Sequence, residues 1–278
     1  MHSNLESKFS LKNKVVIVTG GCGFLGLKHA EAIIEADGIP ILLDVDQSII
    51  NKSVSYLKNL YPYASINGYV VDITSETSIA EARNKILENY KKIDVLINNA
   101  ANNPKMEGDG LTNWTRFENL PDEIWNKDIA VGLTGAFYCS RIFGAAMTKN
   151  IGGVILNISS DLGLIAPDQR IYRKDGIPDE LQPVKPVTYS VIKHGLIGLT
   201  KYIATYWASK GVRCNVLCPG GVFNNQPDDF MQKLTNLIPL NRMADKDEYK
   251  SAVVFLCSDA SSYMTGSVIT IDGGRTCW

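Results

Sequence analysis

The stretch Lys14-Val-Val-Ile-Val-Thr-Gly-Gly-Cys-Gly-Phe-Leu-Gly26 decides the fold. A β-branched apolar run ends at Thr19, glycines follow at 20, 23 and 26, and Leu25, His29, Ala32, Ile33 and Ala36 then recur at helical spacing. A short continuous apolar run of this kind reads as a strand buried on both faces, and the pattern after it as an amphipathic helix. Glycine in the turn removes the Cβ that would hold a pyrophosphate away. The helix N-terminus supplies free N–H groups and a positive dipole. Comparable runs lie at 39–44, 66–71, 93–97, 153–158, 212–217 and 267–271, and the segments between the first six are long enough for crossover helices. This alternation predicts an α/β fold, one doubly wound, seven-stranded parallel sheet with helices on both faces. With no internal repeat and no Pro/Gly-rich linker, residues 1–278 read as a single domain.

The composition narrows the function classes. Lys and Arg number 28 against 29 Asp and Glu, which argues against a nucleic-acid partner. Residues 1–13 hold no apolar signal core and nowhere do 18 apolar residues run together, so the expectation is a cytoplasmic protein without membrane attachment. The cysteines at 22, 139, 214, 218, 257 and 277 form no CxxC pair and predict reduced, buried thiols, with Cys214 in a strand and Cys218 in the loop after it. Histidines 2, 29 and 194 lack ligand spacing, so no metal is expected.

In a doubly wound sheet the carboxyl ends of the strands line the ligand crevice. The second strand ends at Asp44, 18 residues past Gly26, where a carboxylate would accept both adenosine-ribose hydroxyls and repel a 2′-phosphate. That favours NAD over NADP. The competing reading is that Asp44 caps the next helix, a task Asp46 could perform instead. Asp72-Ile73 closes the third strand and Asn98-Asn99-Ala100 the fourth, placing polar groups beside the adenine and ribose.

Downstream stand Ile158-Ser159-Ser160 and Tyr189-Ser-Val-Ile-Lys193. A phenol and an amine four residues apart share one helical face, so the ammonium can lower the phenol's pKa for proton transfer. Two long segments interrupt the alternation. Residues 101–121 hold Asn102, Asn103, Pro104, Gly108 and Gly110; residues 161–188 hold prolines 167, 178, 183 and 186 with Arg170, Arg173 and Lys174. The second joins Ser160 to Tyr189 and is placed to roof the reacting carbon, its cations gripping an anionic group. Five acids at 161, 168, 175, 179 and 180 could instead pair with those cations.

Taken in order, these residues resemble the short-chain dehydrogenase/reductase family across about residues 11 to 274, through Pro219-Gly220 and the closing Asp272-Gly273-Gly274. Within it, Ala166-Pro-Asp-Gln-Arg170 and Pro186-Val-Thr-Tyr189 resemble the flagellin modification protein A-like oxidoreductases. The resemblance implies a Rossmann-type domain, a nicotinamide cofactor, hydride transfer at a carbon bearing oxygen, and a homodimer or homotetramer. Carried over by position, Ser160 polarises the substrate oxygen, Tyr189 is the general acid/base, and Lys193 binds nicotinamide ribose and depresses the tyrosine pKa. Gly20, Gly23, Phe24, Leu25, Gly26, Asp44, Asp72, Ile73, Asn99, Ala100, Ala101, Tyr189, Lys193, Pro219, Gly220 and Val222 bind the cofactor. Three positions depart from the pattern: Phe24 for a middle glycine, Ala101 for a glycine, and Gly132 for an asparagine that anchors a proton-relay water. Glycine keeps the main-chain carbonyl, so a relay through it is the expectation.

The resulting expectation is an NAD-dependent dehydrogenase for a polar alcohol or ketone, a sugar derivative of a surface or flagellar glycan pathway, including phosphorylated or nucleotide-linked sugars. The glycine spacing also suggests a nucleotide-sugar epimerase or dehydratase, though the chain is short for one. Gly132 admits a non-catalytic NAD-binding protein. The helices over 122–147 and 188–207 carry Phe137, Phe143, Leu196, Leu199, Ile203 and Trp207, which suit either a subunit interface or the core.

Overall fold

The computed structural model describes residues 4–102, 113–150 and 152–278. Seven strands, β1 (Val15–Thr19), β2 (Ile39–Asp44), β3 (Asn67–Val70), β4 (Val95–Asn98), β5 (Gly153–Ile158), β6 (Val212–Pro219) and β7 (Val268–Ile271), form one sheet in the order β3-β2-β1-β4-β5-β6-β7. Every pairing is parallel. The helices are α1 (Leu5–Phe9), α2 (Phe24–Glu35), α3 (Gln47–Leu60), α4 (Glu76–Tyr90), α5 (Asp122–Ile129), α6 (Gly135–Met147), α7 (Val187–Tyr206), α8 (Asp228–Thr235) and α9 (Lys250–Cys257). This is the doubly wound Rossmann architecture expected from the alternation. Several strand ends lie one or two residues from the bounds of the apolar runs, and β6 continues to Pro219 and takes Cys218 into the strand.

Successive residues of each central strand serve opposite cores. Val15 and Ile17 pack with Ile79 and Ile86 of α4 and Phe143 and Met147 of α6. Val16 and Val18 pack with Ile33 of α2 and Val253 and Leu256 of α9. Burial on both faces is what makes these strands uniformly apolar. α5 passes into α6 through a π-helical turn at Ala130–Thr134. The whole stretch Asp122–Met147 is long and apolar enough to cross a membrane, yet Cys139, Phe143 and Met147 are fully buried against the sheet.

Under the carboxyl ends of the strands lies a polar seam. Asn98 Nδ2 donates to Asn157 Oδ1 at 2.8 Å and to Ser140 Oγ at 2.9 Å, and Asn157 Nδ2 donates to Thr200 Oγ1 at 2.8 Å. β4, β5, α6 and α7 are thereby tied at one level, which fixes α7 against the sheet where its first turns reach the strand ends.

Of the aromatic and apolar residues expected on α6 and α7, Phe143, Leu196 and Ile203 are core, and Leu199 and Trp207 pack against it. Phe137 stays exposed, as do Tyr202 and Tyr206. All six cysteines are free and all but Cys277 are buried. Residues 161–188 fold as three 3₁₀ turns, docked through Ile171 on Leu234, Ile238 and Met243 and through Tyr172 on Phe230 of α8, with ring centroids 5.6 Å apart. Of the loop expected at 101–121, residues 103–112 lie outside the described residues, as does His2.

Candidate active site

A cleft of about 940 Å³ runs along the carboxyl ends of the strands. One end is the glycine turn. Gly20 has φ +58°, a conformation L side chains rarely adopt, and a Cβ there would lie 2.9 Å from Ala100 Cα. A Cβ at Gly26 would lie 2.2 Å from Gly20 O, so this glycine closes the turn from beneath and is the one expected cofactor residue that does not line the cleft. Asn99 Nδ2 donates to the carbonyls of Thr19 and Gly20 at 3.0 and 3.1 Å, and Thr19 Oγ1 accepts from the amides of Asn99 and Ala100. The N-terminus of α2 has no side-chain cap, leaving its first amides for an anion.

Asp44 holds the adjoining wall, its carboxylate accepting from Cys22 N at 3.3 Å and Val45 N at 2.9 Å. Helix α3 is capped by Asp46, whose Oδ1 accepts from Ser48 N at 2.7 Å and Ile49 N at 3.2 Å. Asp44 is therefore not spent on capping. A glycine cradle, an uncapped helix end and a carboxylate beside them fit a nicotinamide dinucleotide.

At the other end stand Ser160, Tyr189 and Lys193. Tyr189 lies in the first turn of α7 and Lys193 one turn on. Lys193 Nζ donates to Ile158 O at 2.9 Å and lies 5.5 Å from the centre of the Tyr189 ring, while Ser159 Oγ donates to Lys193 O at 2.7 Å. Burial, with the positive charge of Lys185, brings Lys193 down to about 8. Burial also brings Lys185 down to about 8, opposed by Asp161 and Asp128. Tyr189 is shifted up: burial dominates, the hydrogen bond with Ser160 works against it, and the charge of Asp161 adds to it. The lowering expected from Lys193 is not among these influences, and desolvation sets the direction.

The segment 161–188 borders the cleft, but not with the expected cations. Arg170 is exposed and pairs with Asp168 at 2.6 Å, Arg173 is exposed and pairs with Asp179, and neither they nor Lys174 line the cleft. Alternation of acids and bases along an exposed loop satisfies those charges locally. The groups that do face the cleft are Asp161, Tyr172, Lys185 and, from the C-terminal turn, Arg275. Lys185 Nζ sits 3.9 Å from the centre of the Tyr189 ring. The signal for Asp161 and Arg275 was adjacency, one following Ser160 and the other following Asp-Gly-Gly. For Lys185 no sequence signal distinguished it from other surface lysines.

Gly132 is buried in the π-helical turn, and a Cβ there would lie 2.8 Å from Ile192 Cγ2. The room an asparagine side chain would need is taken by isoleucine, so the position suits glycine; this packing concerns a side chain and does not bear on the carbonyl through which the relay is expected.

The comparisons with known proteins agree with this geometry. The family model described as short chain dehydrogenase matches residues 14–172, and that described as Enoyl-(Acyl carrier protein) reductase matches residues 180–276. The chain belongs to the short-chain dehydrogenase/reductase family. It is 30% identical to a 3alpha-hydroxysteroid dehydrogenase of Mediterraneibacter gnavus, over 95% of this chain and 97% of that one. It is 28% identical to the post-translational flagellin modification protein A of Campylobacter coli, over 95% and 98%. A solved short chain dehydrogenase of Leptospira borgpetersenii with bound NAD+ superposes with a TM-score of 0.83 at 31% identity, covering 99% of this chain and 97% of that one.

Two outcomes follow from the placement of these residues. Gly132→Asn is expected to lower stability by roughly 1–3 kcal/mol through overpacking against Ile192. Part of that loss should return in Gly132→Asn/Ile192→Ala, and thermal unfolding of both variants checks it. The Arg170→Ala/Arg173→Ala variant is expected to keep the parent's KM for any substrate turned over; a large rise would place the arginines on the substrate after all.

Proposed function

We propose that the protein is an NAD-dependent dehydrogenase that moves hydride between the cofactor and a polar alcohol or ketone, a sugar derivative of a surface or flagellar glycan pathway. The observation that carries this is the gathering of Ser160, Tyr189 and Lys193 at one end of a cleft whose other end is the glycine turn and Asp44. The bound nicotinamide ring supplies the hydride acceptor or donor. Ser160 holds the substrate oxygen, Tyr189 exchanges its proton, and Lys193 is placed to leave Ile158 O for the ribose hydroxyls. Asp44 receives the adenosine ribose, while Asp72, Ile73, Asn99, Ala100 and Ala101 flank adenine and ribose. Pro219, Gly220 and Val222 back the nicotinamide.

The sugar reading is supported by the charged and polar groups facing the cleft, Asp161, Lys185, Asn224, Gln226 and Arg275, and by the likeness to flagellin modification protein A. The epimerase or dehydratase reading is not favoured, since both matching family models describe dehydrogenase or reductase chemistry. Exposed Phe137, Tyr202 and Tyr206 support assembly into a homodimer or homotetramer through α6 and α7.

NADH formation with a panel of free, phosphorylated and nucleotide-linked sugars tests the activity. On the active substrate, Tyr189→Phe is expected to slow turnover about 100- to 10,000-fold with little change in cofactor affinity; near-normal turnover would move the acid/base role elsewhere. Fluorescence titration should find NADH bound more tightly than NADPH, and Asp44→Ala should narrow the difference. Equal affinities in the parent would refute the cofactor assignment.

A further inference from the structure

The carboxylate of Asp161 is buried beside Ser160, with 4% of the residue exposed. Its Oδ1 is fully engaged, accepting from Ser160 Oγ at 2.7 Å and from Leu162 N at 2.8 Å. Its Oδ2 receives no hydrogen bond from any described residue. Arg275 Nη1 stands 3.3 Å away, close enough to neutralise the charge but off the hydrogen-bonding direction. Arg275, only 6% exposed, is delivered there by the Asp-Gly-Gly turn: Gly273 and Gly274 adopt φ of +67° and +90°, and the Asp272 carboxylate accepts from Gly274 N at 2.9 Å and Thr276 N at 2.8 Å. A buried acceptor held by this much structure and left without a donor is costly, more so when charged.

We propose that Asp161 is a specificity-determining residue whose Oδ2 accepts a hydrogen bond from a second hydroxyl of the substrate, so that the enzyme selects alcohols and ketones bearing a hydroxyl on the carbon next to the reacting one. The inference rests on the dehydrogenase reading and narrows its substrate class. Its geometry follows from Oδ1 and Oδ2 sharing one carbon. The first holds the Ser160 hydroxyl assigned to the reacting oxygen, so a hydroxyl on the next carbon is the donor whose reach matches the second once the substrate displaces what covers it. The surrounding charges choose the ligand. Arg275 and Lys185 disfavour an ammonium at this point, Asp161 itself disfavours a carboxylate or phosphate, and a methylene leaves Oδ2 unpaired. A neutral donor satisfies all three.

The test compares kcat/KM within matched pairs: 2,3-butanediol against 2-butanol and a pentitol against its monodeoxy analogue with NAD+, and acetoin against 2-butanone with NADH. The hydroxylated member should be favoured by roughly 10- to 100-fold, the range for a hydrogen bond to a charged group. Asp161→Asn should shrink that ratio. Because the single change strands Arg275, the second variant is Asp161→Leu/Arg275→Met, which removes the buried pair together. NADH binding by fluorescence checks that each variant is folded. In both variants the ratio is expected to fall toward one whatever the absolute rate. A parental ratio near one, or a double variant that keeps the parental ratio, overturns the inference and leaves the dehydrogenase reading standing. Failure to turn over any alcohol or ketone overturns both.

Discussion

The hydrogen bond between the side chains of Asn98 and Asn157 is the constraint on which the active end of the molecule depends. A parallel sheet covered on both faces leaves its strand ends as the only place where polar side chains can meet a ligand, and such ends fray unless tied sideways. Here the tie is made one residue before the ligand wall, so Asn99 is free to brace the glycine turn and the segment after Asn157 to present Ser160. Through Thr200 the same seam reaches α7 and sets the height at which Tyr189 and Lys193 emerge. Loss of one amide would leave several buried groups without partners, a penalty larger than the net contribution of the bond itself.

Above that seam, burial and charge oppose each other. Two lysines enter the cleft beside one phenol, and desolvation holds both ammonium groups near the pH at which they lose a proton. Desolvation also raises the phenol, so Tyr189 holds its proton more firmly than a free tyrosine. The acidic neighbour Asp161 reinforces this, and Lys185 over the ring face is the nearest compensating charge. The proton affinity of Tyr189 is set by burial and by its neighbours Ser160 and Asp161 rather than by the four-residue interval to Lys193.

The fold was legible because it is written in local pattern: unbroken apolar runs such as Val15–Thr19, punctuated by glycine and followed by helical periodicity, admit few arrangements other than a doubly wound sheet. The positions of Ser160, Tyr189 and Asp44 were legible because strand ends and helix starts are fixed by that pattern. What escaped the sequence depends on contacts between distant segments. Arg170 and Arg173 looked like a clamp because charge in a loop says nothing about which neighbour will neutralise it, and the nearest carboxylates did so. Gly132 carried no sign of Ile192, sixty residues on, which takes the room a side chain there would need. Arg275 reaches Asp161 only because the chain's last turn folds back across the cleft.

The two long excursions meet in a one-sided seam. Asn113 and Arg116 donate from their side chains to the main-chain carbonyls of Glu180 and Asp179, and the amide of Val184 donates to the Thr115 hydroxyl. One partner reads side chains while the other offers only its backbone. Across the seam the stretch 179–184 is read only through its backbone, so residue 184 must retain an amide hydrogen and cannot become proline, while the buried Gln182 side chain is held separately by the backbone of Lys174 and Ile177. Residues 113–116 have no such latitude. Divergence among proteins built on this plan is then expected to accumulate on one side of the seam and to spare the other.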